Sequence, residues 1–375
     1  MSVVRGQTRR RWSIVAGCVA LLCALPTLDS ALPVSVPKES PAALRTHVLA
    51  SAGKPYAGYA ESNASFGLPA LNGFTDLTSL LDGVTRMRVW QASPDNWRVD
   101  VLSDVGESDT YMTPRASYVW DSESELLTEV TGKNPIRLPR AADLVPPSLA
   151  VRLIKEAGKN ARLVALPPRR VAGQAAAGLG VQPADRSSTV GQIDIWVLPG
   201  SWLPAEVEVF GHGAGQPSLE SQFLQVTSWD PVRSVLTPQR GPGTGFTQTN
   251  ATDLSGALSD LGPALLPPAL AGQPRAAAPL GFGEVGVYGS GLGTFAVIEI
   301  SGQTGLKLMA GARSDGGVNL KEPHGTGVVV STSLMTVAML HPSAALGTYV
   351  LAGFVDRQVM ERAARELASQ SWWIP

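Results

Sequence analysis

Apolar and polar residues alternate most regularly in the stretch RMRVWQASPDNWRVDVL, Arg86 to Leu102. A period of two is typical of a β-strand with one buried face. The turn-forming residues SPDN separate two such runs, so the stretch predicts a β-hairpin. Its apolar face must be covered by helices, by another domain or by a ligand. The apolar positions of the hairpin are Met87, Val89, Trp97, Val99 and Val101.

Further strand patterns surround this hairpin. A second hairpin is predicted in QIDIWVLPGSWLPAEVEVFG, where Ile193, Ile195, Val207 and Val209 alternate with polar residues. The other predicted strands of this part of the chain are Tyr56 to Phe66, Ser108 to Met112, Ala116 to Asp121, Leu126 to Val130 and Phe223 to Trp229.

Two helices are predicted among these strands. Ser40 followed by Pro41 is a helix-start signal, and Leu44 and Val48 then share one face. The second helix, Leu144 to Ala157, carries an apolar stripe. Two or three helices are thus available to cover one face of a strand-rich domain.

A second, smaller domain follows a region rich in Gly, Pro and Ala. Its predicted strands are Glu284 to Tyr288, Phe295 to Ile300, Val328 to Ser331 and Tyr349 to Phe354, and Asp356 begins a helix. The predicted organisation is an export segment or anchor at 1–34, a first domain at 35–238, a linker at 239–280 and a small α+β domain at 281–370. The fold class is α+β with mainly antiparallel strands.

The N-terminus has the order of an export signal. Several arginines precede the apolar run Trp12 to Leu28, which predicts an extracytoplasmic protein. Three alternatives stay open for this segment: cleavage, retention as a membrane anchor, or lipidation at Cys18 in the lipobox-like VAGC. Cys18 and Cys23 are the two cysteines of the chain, so neither a disulfide nor a thiolate metal site is predicted beyond this segment.

Composition narrows the function classes. The chain has 375 residues, of which 44% are hydrophobic and 16% charged, with a formal net charge of -1. No basic cluster indicates a nucleic-acid partner. The four histidines are scattered without metal-ligand spacing, so no metal, cofactor or catalytic set is predicted. The spelling GFGEVG at 281–286 precedes a strand and not a helix, which argues against a nucleotide site.

Apolar strand residues are the most abundant material for a binding site. A curved antiparallel sheet with an apolar inner face can leave room for a hydrophobic ligand, although ordinary core packing is the alternative for each residue. The candidate ligand-binding residues are Met87, Val89, Trp97, Val99, Val101, Trp120, Ile193, Ile195, Val207 and Val209.

Three phrases carry a resemblance to a known superfamily. They are SPAALRTHVLASAGKPYAGYAES, RVWQASPDNWRVDVLSDVGESDTYMTPRASYVWDSESELLTEV and RRVAGQAAAGLGVQPADRSSTVGQIDIWVLPGSWLPAEVEVFG. Their order resembles the superfamily of LolA lipoprotein carriers and RseB (MucB) sigma-E regulators, over roughly Ser40 to Pro238. The C-terminal strand-then-helix pattern resembles the smaller domain of RseB-like proteins, which LolA lacks.

The resemblance implies a LolA-like half-open β-barrel with covering helices, an apolar concave face for acyl chains and no catalysis. It also implies an exported regulator that binds an anti-sigma-type membrane protein, with an acyl lipid or lipoprotein as ligand. The alternative from the transport class is a LolA-like carrier of lipids or lipoproteins across the cell envelope. A third alternative, an enzyme, lacks a nucleophile, base or metal constellation.

Overall fold

The computed structural model describes residues 34–67, 79–104, 106–132, 139–250, 266–277, 285–321, 324–343, 345 and 347–369. None of the helices in these ranges combines the length and the apolarity needed to cross a membrane. The predicted export segment up to residue 33, with Cys18 and Cys23, lies outside the described residues, as do residues 281–284 of the glycine motif.

The elements before residue 251 build a strand-rich domain. In chain order they are α1 (Pro41–Ala50), the 3-10 helix η1 (Ser51–Gly53), β1 (Tyr56–Ser65), β2 (Asp82–Ser93), β3 (Asn96–Leu102), β4 (Glu107–Met112), β5 (Ser117–Asp121), β6 (Leu126–Thr131), η2 (Ala141–Asp143), α2 (Pro146–Ala157), β7 (Arg162–Val171), β8 (Gln174–Gln182), β9 (Val190–Leu198), β10 (Leu203–Gly211), β11 (Leu219–Thr227) and β12 (Gly245–Asn250).

These strands form one 12-stranded sheet in the order β12-β6-β5-β4-β3-β2-β1-β11-β10-β9-β8-β7. Neighbouring strands are antiparallel, except that β12 runs parallel to β6. The two ends of the order, β12 and β7, are not joined, so the sheet is open. The mainly antiparallel class predicted from the sequence is confirmed, and the half-open barrel shape stays a prediction.

The two faces of the sheet differ in chemistry at β2 to β4. On one face, here called the helix-covered face, Met87 and Val89 share a hydrophobic core with Val48 of α1 and Ile154 of α2. On the opposite face, here called the outer face, the charged residues of the same strands alternate with these apolar ones. The strands are therefore apolar towards the helices and ionic on their reverse side.

Both predicted helices begin where their sequence signals lie. The Ser40 hydroxyl accepts a hydrogen bond from the Ala43 amide at 3.1 Å, with Pro41 in the first helical turn. The helix predicted from Leu144 begins at Pro146, after η2, because Leu144 already ends the preceding 3-10 turn. It ends at Gly158, whose φ of 77° favours glycine.

The second domain contains another antiparallel sheet. Its elements are β13 (Ala269–Leu270), β14 (Gln273–Pro274), β15 (Val285–Tyr288), η3 (Gly291–Gly293), β16 (Phe295–Ser301), α3 (Gly302–Ser314), β17 (Val318–Leu320), β18 (Gly325–Ser331), β19 (Thr336–Pro342), β20 (Gly347–Gly353) and α4 (Arg357–Ser369). The 6-stranded sheet has the order β15-β16-β20-β19-β18-β17, while β13 and β14 pair separately.

Helices cover both faces of this smaller sheet. Met360 and Leu367 of α4 pack in a core with Val329, whereas Met309 of α3 packs with Val328. Since neighbouring residues of a strand point to opposite faces, α3 and α4 lie on opposite sides. The α4 helix after Asp356 was predicted, and α3 was not.

Part of the segment predicted as a linker, 239–280, has regular structure. β12 extends the sheet of the first domain through β6, and Leu270 beside β14 is fully buried in the core of the second domain. The chain between the domains therefore packs on both of them.

The two domains meet through backbone hydrogen bonds. Ser188 and Val355 form an antiparallel β-bridge, in which the Thr189 amide donates to the Phe354 carbonyl at 2.9 Å. The Ser188 hydroxyl, fully buried, donates to the Leu292 carbonyl at 3.0 Å. Leu292 also belongs to the hydrophobic core of the first domain. The interface is thus a continuation of the core.

Gly211→Ala tests this interface. Gly211 ends β10, and a Cβ atom there would overlap the backbone oxygen of Ser333 in the second domain. We expect the free energy of unfolding to fall by about 1–3 kcal/mol, because backbone must shift to relieve the overlap. Urea unfolding followed by tryptophan fluorescence measures this change.

The matched control is Gly215→Ala, since a Cβ atom at Gly215 has no neighbour within 4 Å. Its unfolding free energy should stay within about 0.5 kcal/mol of the wild type. Equal stability of the two variants would contradict a close-packed domain interface at Gly211.

Candidate functional site

A cavity of about 370 Å³ lies on the helix-covered face beside β1 to β4. The cavity exists because α1 and α2 pack mainly on four other strands, β7, β8, β10 and β11. Above β1 to β4 lie η1, η2 and the first turns of α2. The lining residues are Ala52, Tyr56, Val89, Gln91, Pro94, Asp95, Trp97, Val99, Met112, Arg140, Ala142, Asp143, Val145, Pro147, Ser148 and Val151.

Three of the residues predicted to bind a ligand line this cavity. Val89 and Val99 lie directly opposite each other on β2 and β3, and Trp97 lies opposite Gln91 two pairs further along, on the same face. The register of the predicted hairpin therefore brings these side chains together in one wall. The corresponding residue on β4 is Met112, which pairs with Trp97.

The other candidates on the helix-covered face lie outside the cavity lining. Met87 and Val101 continue the face of the hairpin as a directly opposed pair, with Met87 fully buried and Val101 half-buried. The four candidates of the second hairpin are buried in the hydrophobic core; they are Ile193, Ile195, Val207 and Val209.

Trp120 lies on the outer face. It pairs with Asp109, and Asp109 pairs with Asp100, whose neighbour Val99 lines the cavity. Because directly paired residues share a face and adjacent residues of one strand do not, the Trp120 side chain is on the reverse side of the sheet from the cavity.

A buried polar pair stands among the apolar walls. The Gln91 amide nitrogen donates to the carbonyl oxygens of Ala52 at 3.2 Å and Lys54 at 3.1 Å, and the Tyr56 hydroxyl donates to the Gln91 oxygen at 3.3 Å. Burial raises the pKa of Tyr56 far above its ordinary value, so its hydroxyl stays neutral. Gln91 thus holds η1 and the chain after it against the sheet.

Charged groups lie at the side of the cavity formed by η2. The Arg140 guanidinium stands 5.1 Å from the ring centre of Trp97, within the range of a cation–π interaction. The Arg140 amide donates to the Asp143 carboxylate at 3.0 Å, and Asp143 and Asp95 also line the cavity. The site therefore combines aliphatic and aromatic walls with charged groups of both signs.

Sequence reasoning missed the wall opposite the sheet. Val145, at the N-cap of α2, and Pro147 and Val151 of α2 line the cavity from this side. The Pro146-Pro147 pair at the helix start was visible in the sequence, but only tertiary packing brings it over β2 and β3. Strand alternation therefore found one wall of the cavity and not the other.

Histidines in the described residues occupy separate places. His47 stacks on Trp202 with ring centres 4.0 Å apart, the His212 Nε2 lies 2.9 Å from the Ser188 carbonyl oxygen, and the His341 Nδ1 lies 3.1 Å from the Thr348 hydroxyl. The three rings thus contact different parts of the fold.

Two clusters of three acidic residues in the described part of the chain are compact enough to hold a metal ion, but the carboxylates of each cluster already face arginine. Asp100, Glu107 and Asp109 surround Arg88 and Arg98, and none of these five residues lines the cavity. The second group consists of Glu206, Glu208 and Glu220, beside Arg169.

Arg169 neutralises part of this second group. It pairs with Glu206 and, at 2.9 Å, with Glu208, and its guanidinium lies 3.3 Å from the ring centre of Trp196. Burial raises the pKa of Glu206 to about 7. The negative charge of this cluster is thus compensated by Arg169 and by partial protonation of Glu206.

Comparison with known proteins gives a likeness to solved structures. No protein-family model matches the sequence, and no curated protein matches it either. MucB in complex with MucA(peri) is 15% identical and has a TM-score of 0.47, covering 87% of this chain and 97% of that one. The Pseudomonas aeruginosa MucA/MucB complex is 16% identical and has a TM-score of 0.45, covering 86% of this chain and 96% of that one.

A LolA superfamily protein, NE2245 from Nitrosomonas europaea, is 13% identical with a TM-score of 0.24, covering 54% of this chain and 99% of that one. The resemblance predicted from the sequence is confirmed as a likeness to MucB and LolA superfamily structures. The sequence identities and TM-scores are low, so these similarities assign no function to this chain.

Gln91→Ala tests how the cavity rim is held. The substitution leaves two carbonyl oxygens and the Tyr56 hydroxyl without the partner that Gln91 provides. Since unpaired buried polar groups are costly, we expect the free energy of unfolding to fall by about 2 kcal/mol. The readout is urea unfolding, with Gln225→Ala on the exposed side of β11 as control. If both variants unfold at the same urea concentration, Gln91 does not hold the rim.

Proposed function

We propose that this chain is an exported envelope regulator that holds an acyl or lipid ligand in the cavity and binds an anti-sigma-type membrane protein. The observation that carries the proposal is the cavity itself. On the same face of the sheet, the second hairpin is filled by core packing, whereas space remains between β2, β3 and α2.

The chemistry of the lining favours an amphiphilic ligand. Val89, Val99, Met112, Val145 and Val151 offer apolar surface, and each methylene group that leaves water for such surface contributes about 0.8 kcal/mol. The charged groups of η2 suit a polar end of the ligand. A volume of about 370 Å³ lies at the small end of ligand pockets, which favours one short chain over several.

Helix α2 provides a physical route from the ligand to the second domain. Val151 of α2 lines the cavity, and η3 of the second domain packs against α2. Leu292 of η3 is buried in the same core as Ile154. A ligand that displaces α2 therefore changes the surroundings of the second domain, and its occupancy can alter partner affinity by the difference in binding energy between two states.

The second domain favours a regulator over a carrier as the function of this chain. That domain shares a β-bridge and hydrophobic packing with the first, so its position responds to changes in the ligand-binding domain. A carrier needs only the first domain. The anti-sigma type of partner follows from the sequence resemblance, and the similar MucB structure was solved with MucA(peri).

Ala142→Phe tests the ligand half of the proposal. Ala142 lines the cavity and is half-buried, so a phenyl ring there occupies cavity volume without displacing tightly packed core. We expect at least about tenfold weaker binding of a fluorescent fatty acid, since about 1.4 kcal/mol of lost apolar contact is sufficient for that change. Fluorescence titration of the purified full chain gives the dissociation constant.

The matched control is Ala310→Phe, which places the same ring on the exposed side of α3 in the second domain. Its fatty-acid affinity should equal that of the wild type, and both variants should melt normally. Unchanged binding by a folded Ala142→Phe variant would show that the fatty acid does not occupy this cavity.

A further inference from the structure

The chain between β11 and β12 forms a strap across the outer face of the sheet. We define the strap as residues 228–244. β11 is the neighbour of β1, whereas β12 lies beyond β6, so the strap has to pass β1 to β6. At about 4.8 Å per strand, this is a path of roughly 30 Å.

One arginine marks where the strap touches the sheet. The Arg98 guanidinium donates to the Val235 carbonyl oxygen at 3.5 Å, and the next strap residue, Leu236, is 3% exposed. Arg98 lies on the outer face, because its neighbours on β3, Trp97 and Val99, line the cavity on the other face. The strap therefore contacts the ionic side of the sheet at Arg98 on β3.

Arg98 is also the centre of an ionic cluster, in which Asp100 and Asp109 are buried while Arg88 and Glu107 are partly exposed. Its guanidinium lies 5.3 Å from the ring centre of Trp90 and 4.8 Å from that of Tyr111. The same group donates to Asp100 at 2.5 Å and to Asp109 at 2.7 Å. One side chain thus joins the strap to two carboxylates.

The cluster holds more carboxylates than guanidinium groups. Asp100, Glu107 and Asp109 face Arg88 and Arg98, and Arg88 pairs with Glu107 while its Nε lies 3.6 Å from the Asp100 Oδ2. Full ionisation would leave one uncompensated negative charge under the strap. Burying such a charge is costly, and uptake of a proton removes it.

Asp100 and Asp109 are the pair where this proton fits. They are directly opposed on β3 and β4, and their exposed fractions are 0% and 3%. The Asp100 Oδ2 and the Asp109 Oδ1 are buried without a hydrogen-bond partner. Two carboxylates in such a position share a proton more readily than they carry two charges.

Three further described neighbours of the pair or of Arg98 are uncharged. Tyr111 on β4 places its hydroxyl 3.4 Å from the Asp109 Oδ2, and burial raises its pKa, so that it stays neutral. β5 contributes Trp120 opposite Asp109. At the contact with Arg98, the strap contributes the Val235 carbonyl oxygen and the apolar Leu236.

We propose that the strap is a proton-linked latch, which closes over the Asp100–Asp109 pair with uptake of one proton and loosens when that proton is lost. Closure removes water from the pair and so favours the protonated form. By linkage, protonation favours closure to the same extent. This inference does not depend on the proposed function, because it concerns the face of the sheet opposite the cavity.

The direction of the pH dependence follows from the pKa of Asp109. Burial, followed by the charge of Asp100, raises this pKa to about 7 in the closed state. Opening exposes the carboxyl group and returns its pKa towards the ordinary value near 4. Closure is thus fully favoured below the open-state pKa and weakens as the pH rises through about 7. Between pH 6 and pH 8 the equilibrium for opening should change about tenfold.

Hydrogen–deuterium exchange of the full chain tests the latch. After correction for the intrinsic pH dependence of exchange, amides near Val235 and Leu236 should be about tenfold more protected at pH 6 than at pH 8. Amides of β8, a core strand without an ionisable side chain, should keep the same protection. Equal protection of the strap at both pH values would overturn the proposal, as would an equal change in β8, which would indicate global unfolding.

Asp109→Asn provides the specific variant, since an amide has the shape of the protonated carboxyl group and cannot titrate. Its strap should have the same protection at pH 6 and pH 8. The control is Asp104→Asn in the exposed loop between β3 and β4, which should retain the wild-type pH dependence. A folded Asp109→Asn variant with unchanged pH dependence would also overturn the latch. If the Asp109→Asn variant does not fold, the comparison of the wild-type strap at pH 6 and pH 8 still tests whether closure is favoured at the lower pH.

Discussion

The register of the β2–β3 hairpin is the constraint on which both the cavity and the ionic cluster depend. It places Val89 opposite Val99 towards the helices and Arg88 opposite Asp100 on the reverse side. A shift of one residue would move arginine and aspartate into the cavity and valine under the strap, because the side-chain period of a strand is two. The turn at Ser93 to Asn96 fixes this register locally, and the packing of both faces maintains it.

Incomplete coverage by the helices explains why the cavity lies where it does. α1 and α2 are short and pack mainly over β7 to β11, so the second hairpin is filled by core packing, while Val99 is a core residue at the edge of the cavity and Trp97 is a partly buried one. Gln91 stabilises the boundary by bonding two carbonyl oxygens of the chain around η1. The same α2 helix reaches the second domain through η3. The cavity and the domain interface thus share one structural element.

Alternation within a strand predicted local structure and one wall of the cavity. The hairpin, the two helices of the first domain, and Val89, Trp97 and Val99 as a common surface were all accessible to sequence reasoning. The sequence could not show which of the two hairpins would be fully covered by core packing. Ile193 and Val99 lie in equivalent alternating patterns, and they differ only in what packs above them. The candidate Trp120 lies on the face opposite the cavity for a similar reason. Alternation shows which residues of one strand share a side, but it does not show which side of a distant strand faces the same way.

Two further elements lacked a strong sequence signal. Helix α3 has only a weak apolar stripe, and its clearest marker is the N-cap Ser301, which accepts a hydrogen bond from the Thr304 amide. The strap lies in a stretch whose Gly and Pro content indicates an irregular connection. Its course over the sheet follows from the pairing of β12 with β6, a long-range contact without a local pattern.

The proposed function requires that the space between β2, β3 and α2 hold an acyl ligand. Native mass spectrometry with lipid extraction, on the full chain purified from a membrane-containing host, measures whether it does. We expect a co-purified acyl lipid at one molecule per chain. A well-folded protein that carries no lipid, and takes none up when incubated with fatty acid, would contradict it and make the cavity an ordinary packing defect.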